Sequence, residues 1–255
     1  MVEFSANLGF LWNDLPLPDA IRKAKDAGFK AVELHWPYST PSADVNAALE
    51  ETGLPCLGLN TQRGDVAAGD NGCAAIPGRE AEARKYIDEA LAYAREIGAK
   101  NVHVMAGFTD QSAAAKATFA QNLRYACGQA ALTQRTILIE PLNHIDAKGY
   151  HLSTVPQAQD ALAAVDLPNL KIMFDCYHLQ VTQGDLLPLF KTCQSQVGHV
   201  QFAAVPDRGE PDRGDVNYAQ LLPELVKLGW DAPMGAEYKP RSKMEDGLGW
   251  MKAYQ

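Results

Sequence analysis

Four acidic or amide side chains, Glu140, Asp175, Gln201 and Glu237, sit at or near the downstream ends of the short apolar runs TILIEP, KIMFDCYH, GHVQFA and PMGAEYKP. Three carboxylates and one amide oxygen make a hard, oxygen-rich donor set, which suits magnesium or manganese better than zinc held by thiolates or imidazoles. A divalent ion on such a set can hold a hydroxyl and an adjacent carbonyl together. It then stabilises the negative charge that appears on oxygen when a carbon-bound proton is removed, giving an enediolate. Glu140 and Glu237 would be the acid/base pair, moving the proton between neighbouring carbons or between the two faces of one carbon.

A single strand-end carboxylate more often caps the next helix or pairs with a surface cation, but four on successive strands point to a site. His178, three residues after Asp175, is placed to hydrogen-bond a substrate oxygen. His103 and His35 fit either a substrate contact or a bond to neighbouring backbone. His199 precedes Gln201 by two, so it faces the same side one layer lower and reads as a core hydrogen-bonding residue. Arg208 and Arg63 are the candidates for a substrate carboxylate, whose two oxygens match the paired donors of a guanidinium. Trp12 and Trp36, just past the first two strands, could wall the pocket or simply pack.

Positioning these groups needs parallel strands that all end at one rim. Strand-like and helix-like segments alternate along the whole chain without a linker or low-complexity tract, and about eight βα units can be read. Helices are expected over about 19–28, 42–53, 79–98, 111–133, 154–165, 185–193 and 215–228, with a short C-terminal helix to close the ring. In the third of these, Ile87, Leu91, Ala94 and Ile97 form an apolar stripe, Pro77 lies just before the start, and Gly98 stands where a C-cap would. The expected fold is a single α/β domain over 1–255, a (β/α)8 TIM barrel. Its strand ends carry Asn7, His35, Asn60, His103, Glu140, Asp175, Gln201 and Glu237, and polar groups at that rim read as catalytic. Two long loops, Thr61 to Pro77 and Val205 to Gly214, could fold over the site.

At 255 residues and 47% hydrophobic content the chain can bury one large core. Its formal charge of −8, with no basic patch, argues against nucleic acid as a partner. No leader-like segment or membrane-length apolar stretch is seen, so a soluble, cytoplasmic protein with no membrane partner is expected. The five cysteines, Cys56, Cys73, Cys127, Cys176 and Cys193, are scattered and read as reduced thiols. Cys176 follows a proposed ligand but reads as packing, because the next side chain on a strand points the other way.

The stretches LNTQRGD, AAGDNG, IPGREAEAR, IEPLN, FDCYH, HVQFAAVPDRGEP, GDVNY, EYKP and GLGW together resemble the hydroxypyruvate isomerase family, within the xylose-isomerase-like barrels that also include ketose 3-epimerases. The resemblance covers nearly the whole chain. It implies Glu140 and Glu237 as the acid/base pair, a divalent ion surrounded by Glu140, Asp175, Gln201 and Glu237, and substrate contacts from His178 and Arg208. Arg63, His103 and Asn60 complete the candidate substrate-binding set. The implied reaction is the reversible conversion of hydroxypyruvate to tartronate semialdehyde. Alternatives on the same site are a 2-oxo-tetronate isomerase or a ketose 3-epimerase; a nuclease or a non-catalytic binding protein on this barrel fits less well. The small-molecule partner is thus a hydroxy-carbonyl acid or a sugar, and the resemblance also allows a homo-oligomer built through barrel helices.

Overall fold

The computed structural model describes residues 2–254. Eight parallel strands close on themselves in chain order: β1 (Phe4–Asn7), β2 (Ala31–Glu33), β3 (Cys56–Asn60), β4 (Asn101–His103), β5 (Thr136–Ile139), β6 (Leu170–Asp175), β7 (Val197–Phe202) and β8 (Met234–Ala236). Closure is made by β1 on β8, with Phe4 beside Met234, Ser5 beside Gly235 and Ala6 beside Ala236. A closed sheet leaves no edge with unpaired backbone groups.

The outer layer is α1 (Leu17–Asp26), α2 (Ser42–Thr52), α3 (Glu80–Glu96), α4 (Ala113–Ala131), α5 (Val155–Val165), α6 (Cys176–Thr182), α7 (Leu186–Cys193) and α8 (Tyr218–Lys227). Side-chain caps start several of them: Ser112 accepts from the Ala115 N–H, Thr154 from Gln157 and Asn217 from Gln220. The helices lie within a few residues of the expected spans. The C-terminal segment is a 3-10 helix, Met244–Tyr254, which seats Trp250 against Phe4 with ring centroids 4.7 Å apart.

One helix differs in kind from the expectation. No helix is expected directly after β6, yet Asp175 ends that strand and also caps α6, its Oδ1 accepting from the Tyr177 N–H at 2.7 Å. His178 therefore sits in the first turn of a short helix and is buried. The same turn buries Cys176, and burial pushes its thiol well up, consistent with packing. No helix among the described residues is long and apolar enough to cross a membrane.

The barrel interior is unusually polar for a packed core. Ser5, Glu33, Asn101, His103, His199 and Gln201 are all buried there or at its upper end. This layer lies directly under the rim.

Candidate active site

Glu237 follows β8 and is the most heavily partnered carboxylate at the rim. Its Oε1 accepts from Asn7 Nδ2 at 2.9 Å and Gln201 Nε2 at 3.3 Å, and it lies 2.9 Å from His35 Nε2. Its Oε2 accepts from Arg208 Nη2. Burial alone would raise this carboxyl, but the Arg208 charge and the His35 bond outweigh it and hold Glu237 below its usual range.

Glu140, directly after β5, is buried without such a cation at close range. Burial first, then the charges of Glu237 and Asp175, push it well above the usual glutamate range. Asp175 is pushed up to about 7 by burial and by Glu237, against the opposing pull of Arg208. Buried like charges drive one another toward protonation unless a cation compensates them, so this rim is built for positive charge.

Each of Glu140, Asp175 and His178 can offer a ligand atom within 4.8 Å of the others'. This buried group could hold a metal ion. The tautomer of His178 narrows its role. Nδ1 accepts from the Asn143 backbone N–H at 3.1 Å and faces Asn143 Nδ2 at 2.8 Å, so the ring proton is on Nε2. Burial holds the ring neutral, with its pKa lowered to about 3. Nε2–H, 3.8 Å from Asp175 Oδ2, is thus a donor rather than a ligand atom. By contrast, Asp175 Oδ2 and Gln201 Oε1 are buried acceptors with no hydrogen-bond partner. Buried acceptors left in this state fit a cation bound between them.

The other residues expected at the site are placed less uniformly. Arg208 is brought to the centre: Nη2 reaches Glu237 and lies 3.7 Å from Asp175 Oδ2, and its guanidinium lies 4.8 Å from the ring centroids of both Phe10 and Tyr177. Its backbone is in the left-handed region at φ 54, a conformation that is uncommon outside glycine and concentrates at functional sites. His103 has neither ring nitrogen hydrogen-bonded; its Nδ1 lies 3.7 Å from Glu140 Oε2, and burial lowers its pKa to about 3. Asn60 ends β3, half-buried, and its backbone carbonyl accepts from Tyr38. Arg63 lies over Trp36, 5.0 Å from the ring centroid, and donates to Asn71 Oδ1 at 3.0 Å, so it belongs to the site's outer wall. Trp36 is fixed by its own bond to the Thr61 carbonyl. Trp12 is buried against Phe29 and donates to Glu245, a packing role.

Of the two long loops, 61–77 is pinned: Arg79 pairs with Asp70 at 2.6 Å, and Gly72 bridges to Ala106. The loop 205–214 carries Arg208 and is clasped by Arg241, a residue sequence reasoning missed. Arg241 Nε donates to Asp207 Oδ2 at 2.7 Å, Nη1 to Asp212 Oδ1 at 2.8 Å, and the Arg241 N–H to buried Glu210 at 3.0 Å. The only signal would have been three carboxylates in one ten-residue loop, which need a cation from elsewhere. Glu33 was missed too. It lies under the rim, accepts from Gln201 Nε2 at 2.7 Å and lies 3.0 Å from His199 Nε2. His199 is thereby placed in the core, as its spacing from Gln201 suggested.

The sequence model for the xylose isomerase-like TIM barrel matches residues 21–254. A Cupriavidus necator protein named 2-oxo-tetronate isomerase is 42% identical, with 100% of this chain and 99% of that protein covered. An Escherichia coli protein named hydroxypyruvate isomerase is 36% identical over 100% of both chains. The crystal structure of a Brucella melitensis protein, titled AP endonuclease, family 2, superposes with a TM-score of 0.96 at 38% identity, covering 100% of both chains. This chain therefore belongs to the xylose isomerase-like TIM-barrel family.

Proposed function

We propose that this chain is an aldose-ketose type isomerase acting on a short 2-oxo acid, with hydroxypyruvate and tartronate semialdehyde as its substrate pair. The observation that carries this reading is the convergence at one rim of the buried carboxylates Glu140, Asp175 and Glu237 with the Arg208 guanidinium and with two buried, unpartnered acceptors, Asp175 Oδ2 and Gln201 Oε1.

Glu140, Asp175, Gln201 and Glu237 would hold a divalent ion, magnesium or manganese by the hardness of the donors. When bound, it would supply a positive charge beside the substrate oxygens, where negative charge develops as a proton leaves carbon. The chain's own residues do the rest. One glutamate takes the proton from the hydroxymethyl carbon of hydroxypyruvate and a glutamate returns a proton to the adjacent carbon, while the hydroxyl proton passes from the C3 oxygen to the C2 oxygen, leaving an aldehyde at C3 and a hydroxyl at C2. His178 Nε2–H donates to a substrate oxygen. Arg208 takes the substrate carboxylate, with its guanidinium kept in place by the Phe10 and Tyr177 rings. His103, Asn60 and Arg63 complete the substrate-binding wall.

A second reading is 2-oxo-tetronate as the substrate, favoured by the name of the 42% identical relative. It uses the same residues on an acid one carbon longer. A nuclease is disfavoured by the net charge of −8, and the proposed ligands Glu140, Asp175, Gln201 and Glu237 include no histidine, where a multi-zinc nuclease needs a histidine-rich set. The buried cysteines, none paired in a disulfide, suit a cytoplasmic enzyme.

A panel of hydroxypyruvate, 2-oxo-tetronate and neutral ketoses, assayed with magnesium or manganese, tests the reading. Fastest turnover on hydroxypyruvate supports it, a best rate on 2-oxo-tetronate selects the second reading, and activity on neutral ketoses alone contradicts both. The Arg241 clasp adds a prediction. Arg241→Ala should free the loop that presents Arg208 and raise KM for the acid by about tenfold, with kcat less affected. An unchanged KM would show that Arg208 is held in place without the clasp.

A further inference from the structure

Glu33 ends β2 and Gln201 lies near the end of β7, with β1 and β8 between them in the closed sheet. The gap is bridged because β8 carries no side chain at the crossing point. Gly235 pairs with Ser5 on one side and Gln201 on the other, and a Cβ there would collide with the Glu33 carboxylate and lie 2.8 Å from Gln201 Cγ. Through that opening Glu33 Oε2 accepts from Gln201 Nε2 at 2.7 Å, while its Oε1 accepts from Ser5 Oγ. Gln201 Nε2 also reaches Glu237 Oε1 at 3.3 Å. The nitrogen end of the amide is thus engaged by two carboxylates. Its oxygen end, buried and unpartnered, is left over.

An amide can present either end to a site, and a glutamine in a polar barrel has no intrinsic preference. We infer that Glu33 is a positioning residue that orients the Gln201 amide, so that Oε1 is offered to the divalent cation and Nε2 secures Glu237. The inference rests on the proposed metal site and gives a buried carboxylate, unused by the chemistry, a defined task. Partners of this kind behind a ligand typically change metal affinity by 10- to 100-fold when removed.

The test is Mn2+ affinity of the substrate-free protein, read by electron paramagnetic resonance of the unbound ion, with the melting temperature and circular dichroism of the metal-free protein as controls. Glu33→Gln keeps the volume but no longer dictates which end of the amide faces it. It should weaken Mn2+ binding about tenfold or more, Gln201→Ala should weaken it as well, and the double variant should be no worse than Gln201→Ala alone. If Glu33→Gln does not fold, Gly235→Ala reads the same contact by pushing the pair apart. It should likewise weaken Mn2+ binding.

Wild-type Mn2+ affinity in a folded Glu33→Gln protein, or fully additive losses in the double variant, would overturn the inference while leaving the metal site intact. Absence of Mn2+ binding in the unaltered protein would overturn the metal site itself, and the inference with it.

Discussion

Glu237→Gln is expected to lower kcat on hydroxypyruvate by on the order of a hundredfold or more, and Glu140→Gln to do the same, with both proteins folded. The two losses should come from different defects. At Glu237 the change removes one carboxylate of the acid/base pair, held in a buried site by Arg208, His35 and Asn7, while those partners remain. At Glu140 the change removes the other carboxyl of the acid/base pair, buried at the rim with Asp175 and Glu237, and with it a charged ligand for the proposed ion. An amide is nearly isosteric with a carboxylic acid, so packing after β5 should be little disturbed. Near-normal turnover in either variant would remove that carboxylate from proton transfer.

The second large effect is expected at Arg208. Arg208→Ala should raise KM for hydroxypyruvate by roughly a hundredfold, the scale of a charge-assisted, bidentate contact to a carboxylate, and should affect a neutral ketose far less. The variant should also have a second consequence. Arg208 supplies the charge that holds Glu237 below its usual range, so removing it should raise the Glu237 pKa and shift the acid limb of the pH profile upward. Arg208→Lys keeps the charge but loses the flat surface stacked between Phe10 and Tyr177, so it should recover the pH profile better than KM. Equal losses on acid and neutral substrates would mean that Arg208 organises the site rather than reading the carboxylate.

Much of this site was legible in the sequence because a parallel barrel converts a linear pattern into a spatial one. Each strand is a short apolar run, so the polar residue that ends it must arrive at the common rim, and Asn7, Asn60, His103, Asp175 and Gln201 lie in the last one or two positions of their strands. Glu140 and Glu237 follow directly on theirs. What could not be read were contacts made across the barrel. Glu33 looks like an ordinary residue of an alternating strand, and its partners come from β1 and β7, far away in sequence. The residue that makes room for it, Gly235, carries no chemistry of its own. A charge inside the run KAVELHW was the available clue, since an unpaired buried carboxylate is costly. Arg241 was hidden because the loop it clasps lies about thirty residues upstream and has no regular structure to predict. The turn of α6 was missed since Asp175 does two jobs, ending a strand and capping a helix, and only the first is visible in an apolar pattern.

In the proposed reaction, buried carboxylates at one rim gather around a divalent ion to move a carbon-bound proton. The most direct test is the rate of hydroxypyruvate conversion by chelator-treated protein, before and after manganese or magnesium is restored. Little turnover is expected without metal and recovery with it, together with a higher melting temperature of the reloaded protein, as when an ion binds only the folded state. Full activity in protein shown by metal analysis to be free of divalent ions would contradict it.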